Sequence, residues 1–302
     1  MQKKEIESII NTKKIDEADV VLLSAPYGQS FTFGSGAEKG PSHIIDCLHG
    51  NLEFFDRYLG FEPNRLVKTA HHNLTNLNKY SPDRMVETIS AFYKKNNEKF
   101  ILMLGGDHSV SIGAFHFFST FKKAKDITIL QIDAHPDLRD NTLDYKTTTH
   151  KYSHASVMRR GHEWGFKTVQ VGLRAISTFD NEYIKKHNLK IFEWGRGKTP
   201  SIKSIVDSIK TKDVYLTLDV DGIDPAHMPA TGTPVPGGLE WHYTRELIRE
   251  VIKRKNLVGA DIVEVSPIKN NPLTEYAAAQ LAYDIFSYRT LKTKKNLKFI
   301  SK

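Results

Sequence analysis

With 302 residues, 39% of them hydrophobic and 26% charged, the chain has the composition of a folded globular protein, which excludes a disordered or collagen-like one. Its one cysteine, Cys47, excludes an intramolecular disulfide, and a net charge of +8 without a finger, an RNA-binding sheet motif or a basic helix gives no nucleic-acid-binding signature. The polar start, Met1-Gln2-Lys3-Lys4-Glu5, lacks the roughly 7–15-residue apolar stretch of a signal peptide, and no apolar run approaches the ~20 residues of a membrane helix, so a cytoplasmic, soluble protein with no membrane partner is expected.

In chain order, residues 18–25 form the first short, apolar, β-branched run and predict a strand. A glycine-containing loop at 34–41 and an amphipathic helix at 82–97 follow. The run 100–104 predicts a second strand, which leads through Gly105-Gly106-Asp107-His108-Ser109 into a helix at 109–122. The run 127–132 ends in Asp133-Ala134-His135-Pro136-Asp137. Further strands are expected at 168–173, at 214–218 before Asp219-Val220-Asp221-Gly222, and at 258–265 with Glu264 at its end; helices are expected at 243–253 and 274–291. The basic tail, 292–302, reads as a frayed end. Strand–helix alternation implies βαβ units and a parallel sheet. Continuous apolar strands suit a sheet covered on both faces. With no repeat or low-complexity linker, one domain spanning 1–302 is expected.

The unusual residues follow the apolar strands, where open parallel sheets bind ligands. In extended backbone, Asp133, His135 and Asp137 project to one side. Taken alone, each motif has a bland explanation: Asp is common in turns, and Asp107 or Ser109 suits a helix cap. Three such motifs, each after its own strand, argue for a shared site. His108, Asp133, His135, Asp137, Asp219 and Asp221 supply four carboxylates and two imidazoles. The carboxylates would repel one another without cations, and their charge offsets two divalent ions. An oxygen-rich set without cysteine suits Mn²⁺ better than the sulfur-rich sites of structural zinc. Two ions about 3.5–4 Å apart fit the ligand count.

These motifs, together with Ser153-His154-Ala155-Ser156, Asp221-Gly222-Ile223-Asp224-Pro225, Thr231-Gly232-Thr233-Pro234 and Asp261-Ile262-Val263-Glu264-Val265-Ser266-Pro267, resemble those of the ureohydrolase family: arginases, agmatinases and related guanidino-acid hydrolases. The likeness runs over about residues 18–288. It implies a three-layer α/β/α fold with a mostly parallel eight-stranded sheet, two Mn²⁺ per chain and a homo-oligomer. It also implies that His108, Asp133, Asp137 and Asp219 hold one ion and His135, Asp133, Asp219 and Asp221 the other, with Asp133 and Asp219 bridging. Asp137, His154 and Glu264 would be catalytic, as proton acceptor, proton shuttle and acceptor of hydrogen bonds from the guanidinium NH₂ groups.

The guanidinium carbon is a poor electrophile, and bound metal lowers the pKa of water from ~15.7 toward neutrality to supply hydroxide. Arginases typically have Asn two residues after the second Asp of the DxHxD loop, where this chain has Arg139. They tend to have Asp after Gly-Leu-Arg, where this chain has Ala175 after Gly172-Leu173-Arg174. Both departures, with Asp137-Leu138-Arg139-Asp140 and the 152–160 stretch, look like agmatinase and favour agmatine, cleaved to urea and putrescine, as the small-molecule guanidino substrate. The alternatives are arginine, 4-guanidinobutyrate, or a non-catalytic metal-binding homologue. Lys146, His150 and Lys151 make the 141–151 loop basic, which would favour a carboxylate-bearing substrate if they face the mouth. His71, His72, His162, His227 and His242 match no motif.

Overall fold

A computed structural model describes residues 8–30, 32–141, 150–197 and 199–294. Eight strands, β1 (Val20–Ala25), β2 (Thr69–Asn73), β3 (Phe100–Gly105), β4 (Ile127–Ile132), β5 (Lys167–Leu173), β6 (Lys190–Glu193), β7 (Asp213–Asp219) and β8 (Asn256–Val263), pair in the order β2-β1-β3-β8-β7-β4-β5-β6. Every pairing between them is parallel, so the sheet is wholly rather than mostly parallel. The helices are α1 (Gly40–Leu48), α2 (Pro82–Lys95), α3 (Ser111–Phe121), α4 (Val157–Glu163), α5 (Thr178–His187), α6 (Ile202–Ser208), α7 (Trp241–Arg254) and α8 (Leu273–Thr293).

Continuous apolar strands are buried along their whole length in β1, β3 and β4, as a doubly covered sheet requires. Alternate residues feed opposite cores. Leu22, Leu102, Leu130 and Leu216 join Ile44, Ile205, Leu247 and Leu281 of α1, α6, α7 and α8. Leu23, Ile101, Ile129 and Tyr215 join Ile89, Phe115, Met158 and Ile184 of α2, α3, α4 and α5. This is the expected α/β/α layering. The six strands predicted from apolar runs are present; β2 and β6, the sheet's two edges, are short, only partly buried, and carry no apolar run.

The four strands that precede the unusual residues are contiguous at the sheet's centre, in the order β3-β8-β7-β4. Their register aligns Leu104 with Ile262, Ile262 with Leu218, and Leu218 with Ile132. The chain therefore leaves all four strands at one level, and their loops meet above one edge. Among the described residues, no helix is long and apolar enough to cross a membrane.

Candidate metal centre

Asp133 is the hub of the site. It follows β4, is 1% exposed, and accepts a hydrogen bond from the His135 backbone N–H at 2.6 Å on Oδ1 and one from Gln131 Nε2 at 2.6 Å on Oδ2. Gln131 is held in turn by Gln170, whose Nε2 donates to Gln131 Oε1 at 2.5 Å. Across the sheet, Asp219 ends β7 and accepts from the Asp221 N–H, while Asp221 Oδ1 accepts from the Ala134 N–H at 3.0 Å. The strand-end loops thus brace each other's carboxylates. Gly222 allows this approach, because a Cβ there would lie 2.6 Å from the Asp133 nitrogen.

Two ligand groups emerge, His108 with Asp133 and Asp219, and His135 with Asp133 and Asp221, each with its donor atoms within 4.8 Å of one another. Asp133 is common to both. Asp219 falls in the first group only, whereas sequence resemblance implies that it bridges. Asp137, outside both groups, still brings Oδ2 to 2.9 Å from His108 Nδ1. Its backbone lies in the left-handed region at φ 52°, as does that of Glu264 at φ 66°. Such conformations are uncommon for side-chain-bearing residues and cluster at functional sites.

His108 provides the test of whether a cation fits. Its Nδ1 lies 2.9 Å from Asp137, 3.3 Å from Asp133 and 3.4 Å from Asp219, yet this buried atom makes no hydrogen bond. The opposite ring nitrogen, Nε2, is fixed by the Thr217 hydroxyl at 2.8 Å, and Thr217 donates to Asp261 Oδ1 at 2.6 Å. An imidazole anchored on one side and presenting its other nitrogen to three carboxylates could hold a metal ion, with its outer support in place. The donor set is oxygen and imidazole, which fits hard to borderline divalent ions.

Electrostatics agree. Burial alone would lower the His108 and His135 pKa values, but the surrounding carboxylates raise both, His135 to about 12 through Asp133 and Asp221. Burial opposes ionisation of Asp133, yet the two imidazoles hold its pKa well below the carboxylate range. Burial and the neighbouring Asp133 charge push Asp137 up to about 7. Burial, with Asp221 and Asp133, also raises Asp219 well above the ordinary carboxylate range. Two divalent cations held here would offset the carboxylate charge that produces these shifts.

A cavity of about 200 Å³ opens onto the cage and is lined by His108, His135, Asp137, Asp219 and Asp221, with His154 and Glu264 also on its wall. His154 sits between two hydroxyls, Ser30 Oγ at 2.7 Å from Nδ1 and Thr32 Oγ1 at 2.8 Å from Nε2. Glu264 Oε1 accepts from the His108 N–H at 2.7 Å. Asp107, expected as a possible cap, accepts from the Ser109 N–H and also from the Ser30 N–H, tying the His154 support to the His108 turn. Arg139 and Ala175, the two positions where the sequence looks unlike that of arginases, both line the cavity. His150 and Lys151 do not; His150 meets Asp83 at 3.2 Å and Lys151 lies over the Tyr152 ring. Lys146 falls outside the described residues.

Besides Gln131, Gln170, Ser30 and Thr32, sequence reading missed Thr217, Asp261 and Arg174 as supporting residues. Thr217 and Asp261 lie inside apolar strands, and a buried Asp within such a strand was the available signal. Arg174 donates to the backbone carbonyls of Gly172, Asp221, Gly222, Val235 and Pro236. Its Gly-Leu-Arg context had pointed only to the residue that follows.

The sequence profile of the Arginase family matches residues 18–287. An N(1)-aminopropylagmatine ureohydrolase of Synechocystis sp. is 32% identical over 283 residues, covering 90% of this chain and 89% of its own length. An agmatinase of Pyrococcus horikoshii is 29% identical, covering 90% of this chain and 92% of its own. The crystal structure of an agmatine ureohydrolase of Thermoplasma volcanium superposes with a TM-score of 0.80 at 27% identity, covering 98% of each chain. A strand-end cage built on this sheet order and these matches across nine-tenths of the chain have one reading: the chain belongs to the arginase family, as a hydrolase most like its agmatinases.

Proposed function

We propose that this chain uses two Mn²⁺ ions to hydrolyse the guanidinium group of agmatine, releasing urea and putrescine. The observation that carries the reading is the pair of ligand groups sharing Asp133 at a cavity lined by Arg139 and Ala175, where arginases tend to carry Asn and Asp. In this reading His108, Asp133, Asp137 and Asp219 hold one ion, and His135, Asp133, Asp219 and Asp221 the other. Bound there, divalent ions lower the pKa of water and so supply the nucleophile.

The remaining steps belong to the chain's own side chains. Glu264 accepts hydrogen bonds from the guanidinium NH₂ groups, a charge-assisted pairing that orients the substrate. Asp137 accepts the proton given up on attack. His154 carries a proton to the departing amine, and the Ser30 and Thr32 hydroxyls at its two nitrogens hold the ring in place and offer a path for the proton.

A second reading has specific support. Several relatives of similar identity are N(1)-aminopropylagmatine ureohydrolases, so agmatine bearing an aminopropyl group is the competing substrate. The test is urea release by the Mn²⁺-loaded protein from agmatine, N(1)-aminopropylagmatine, arginine and 4-guanidinobutyrate. Preference for arginine by about tenfold in kcat/KM, roughly 1.4 kcal/mol of transition-state binding, overturns the proposal. Metal uptake without urea from any guanidine leaves a non-catalytic homologue.

A further inference from the structure

Two amides lie inside the sheet beneath the cage. Gln131 of β4 and Gln170 of β5 are partners in register, and Thr217 of β7 and Asp261 of β8 continue the same row across the sheet. All four are fully buried. Thr217 holds His108, and Gln131 holds Asp133. Ile127 and Ile129 precede Gln131 on the same face of β4 and pack in the core, so packing alone asks for no amide here.

Hydrogen bonding fixes which way both amides face. An ionised carboxylate only accepts, so Gln131 turns its NH₂ toward Asp133, with Nε2 at 2.6 Å from Oδ2 and at 3.3 Å from the His135 carbonyl. Gln131 Oε1 then accepts from Gln170 Nε2 at 2.5 Å, and the same NH₂ donates to the Pro136 carbonyl at 2.8 Å. Turning Gln170 over would set its oxygen against these two acceptors. Its Oε1 is therefore left buried without a hydrogen-bond partner. An orphaned acceptor destabilises the fold, and the fold keeps it at the far end of a chain of amides that leads to Asp133.

The purpose of that chain follows from the lone pairs of Asp133. Oδ1 accepts from the His135 N–H at 2.6 Å and faces His135 Nδ1 at 3.6 Å. Oδ2 accepts from Gln131 and faces His108 Nδ1 at 3.3 Å. Each oxygen commits one lone pair to a protein donor and keeps one, and the two oxygens face different imidazoles. Without the Gln131 donor, Oδ2 would have both lone pairs to offer, and nothing would hold the carboxylate from turning onto a single ion. We propose that Gln131, braced by Gln170, is a positioning residue that keeps Asp133 shared between two ions, one oxygen to each. This rests on the proposed Mn²⁺ pair and names the side chains that hold its shared ligand in register.

The experiment compares wild type with Gln131→Met, which keeps the length of the side chain but loses its donor, and with Gln131→Met/Gln170→Met, which also removes the orphaned oxygen. Calorimetric titration reads Mn²⁺ affinity, and electron paramagnetic resonance reads whether the bound ions are exchange-coupled. Gln131→Met should bind Mn²⁺ about 10- to 100-fold more weakly, with a smaller share of coupled ions at two equivalents added. The double variant should regain metal-free Tm, because an apolar pair replaces an incompletely bonded one, yet stay weak for Mn²⁺ and poorly coupled. A purely structural role would make Tm and Mn²⁺ affinity fall and recover together, and that result overturns the assignment. Gln170→Leu, which leaves the Asp133 donor in place but unbraced, carries the same measurements with a smaller expected loss should the others not fold. Wild-type affinity and coupling in the folded variants overturn the role of the two amides alone. A wild type that takes up no coupled pair overturns the two-ion reading beneath it.

Discussion

Arg174 Nη2 donates to the Asp221 carbonyl at 2.6 Å, and the same nitrogen donates to the Val235 carbonyl at 2.5 Å. One atom thus ties the turn that carries Asp219 and Asp221 to the segment that carries Thr233, whose hydroxyl reaches Asp221 Oδ2 at 3.3 Å. With Nη1 on the Gly172 and Gly222 carbonyls, the guanidinium joins the ends of β5 and β7 to the 233–238 loop. A planar fork with five donors suits this task and an ammonium does not.

Replacing Arg174 with Lys should therefore leave the fold intact and loosen one side of the cage. The expected effect is about 10- to 100-fold weaker binding at one of two Mn²⁺ equivalents, in the range of other outer supports of metal ligands. Calorimetric titration with Mn²⁺ reads this directly. Two equivalents bound with wild-type affinity would show that Arg174 only staples loops.

Thr217 holds His108 from behind and hands the contact on to Asp261, which also accepts from the Tyr215 hydroxyl at 2.9 Å. Thr217→Val keeps the shape of the side chain but leaves His108 Nε2 without its partner and takes one donor from the buried Asp261. The expected cost is about 1–3 kcal/mol of stability, read by denaturant unfolding of the metal-free protein. A lowered Mn²⁺ affinity should accompany it, because the ring loses the bond that orients Nδ1 toward the carboxylates.

His154 stands outside both ligand groups and is held by Ser30 and Thr32. His154→Ala should keep two Mn²⁺ per chain, measured by atomic absorption after desalting, and lose about 10²- to 10⁴-fold in kcat, the usual contribution of a positioned acid–base group. Metal loss in this variant would make His154 part of the cage's support instead.

How much of this was legible in the sequence follows from burial. The strands β3, β4, β7 and β8 lie at the sheet's centre, where both faces are covered, so their apolar runs are unbroken and the motifs behind them stand out. Edge strands need no such run: Thr69–Asn73 contains His71 and His72, with His71 bonded to Ser24 Oγ at 2.9 Å, and the sequence reading assigned no element there. Helices α1, α4, α5 and α6 are 7–10 residues long and give too few turns for a periodic signal. At the site, each candidate ligand was visible because its motif is local. Arg174 was not, because its acceptors at Asp221 and Val235 lie 47 and 61 residues away. The left-handed backbone of Asp137 and Glu264 was equally hidden, since sequence suggests that conformation chiefly at glycine.

Protons in the metal-free cage set the pH dependence of metal binding. His135, raised to about 12 by Asp221 and Asp133 against burial, stabilises the metal-free fold fully below the ordinary imidazole value of 6.5, and that contribution is lost as pH climbs toward 12. Asp137 is an acid with a raised pKa, about 7 against 3.8, so the folded state holds the extra proton and metal-free stability falls as pH rises through that window. A metal ligand must be deprotonated, so Mn²⁺ held by these residues as proposed would expel both protons. The His135 proton is released throughout the range from pH 6 to 8, whereas the Asp137 proton is mostly bound at pH 6 and mostly gone by pH 8. Calorimetry in buffers of different ionisation enthalpy should therefore record more than one proton released per pair of ions at pH 6, nearly one fewer at pH 8, and an apparent affinity that rises with pH. A proton count of zero at both values would mean that the ions enter a cage already deprotonated, contrary to the raised pKa values of His135 and Asp137.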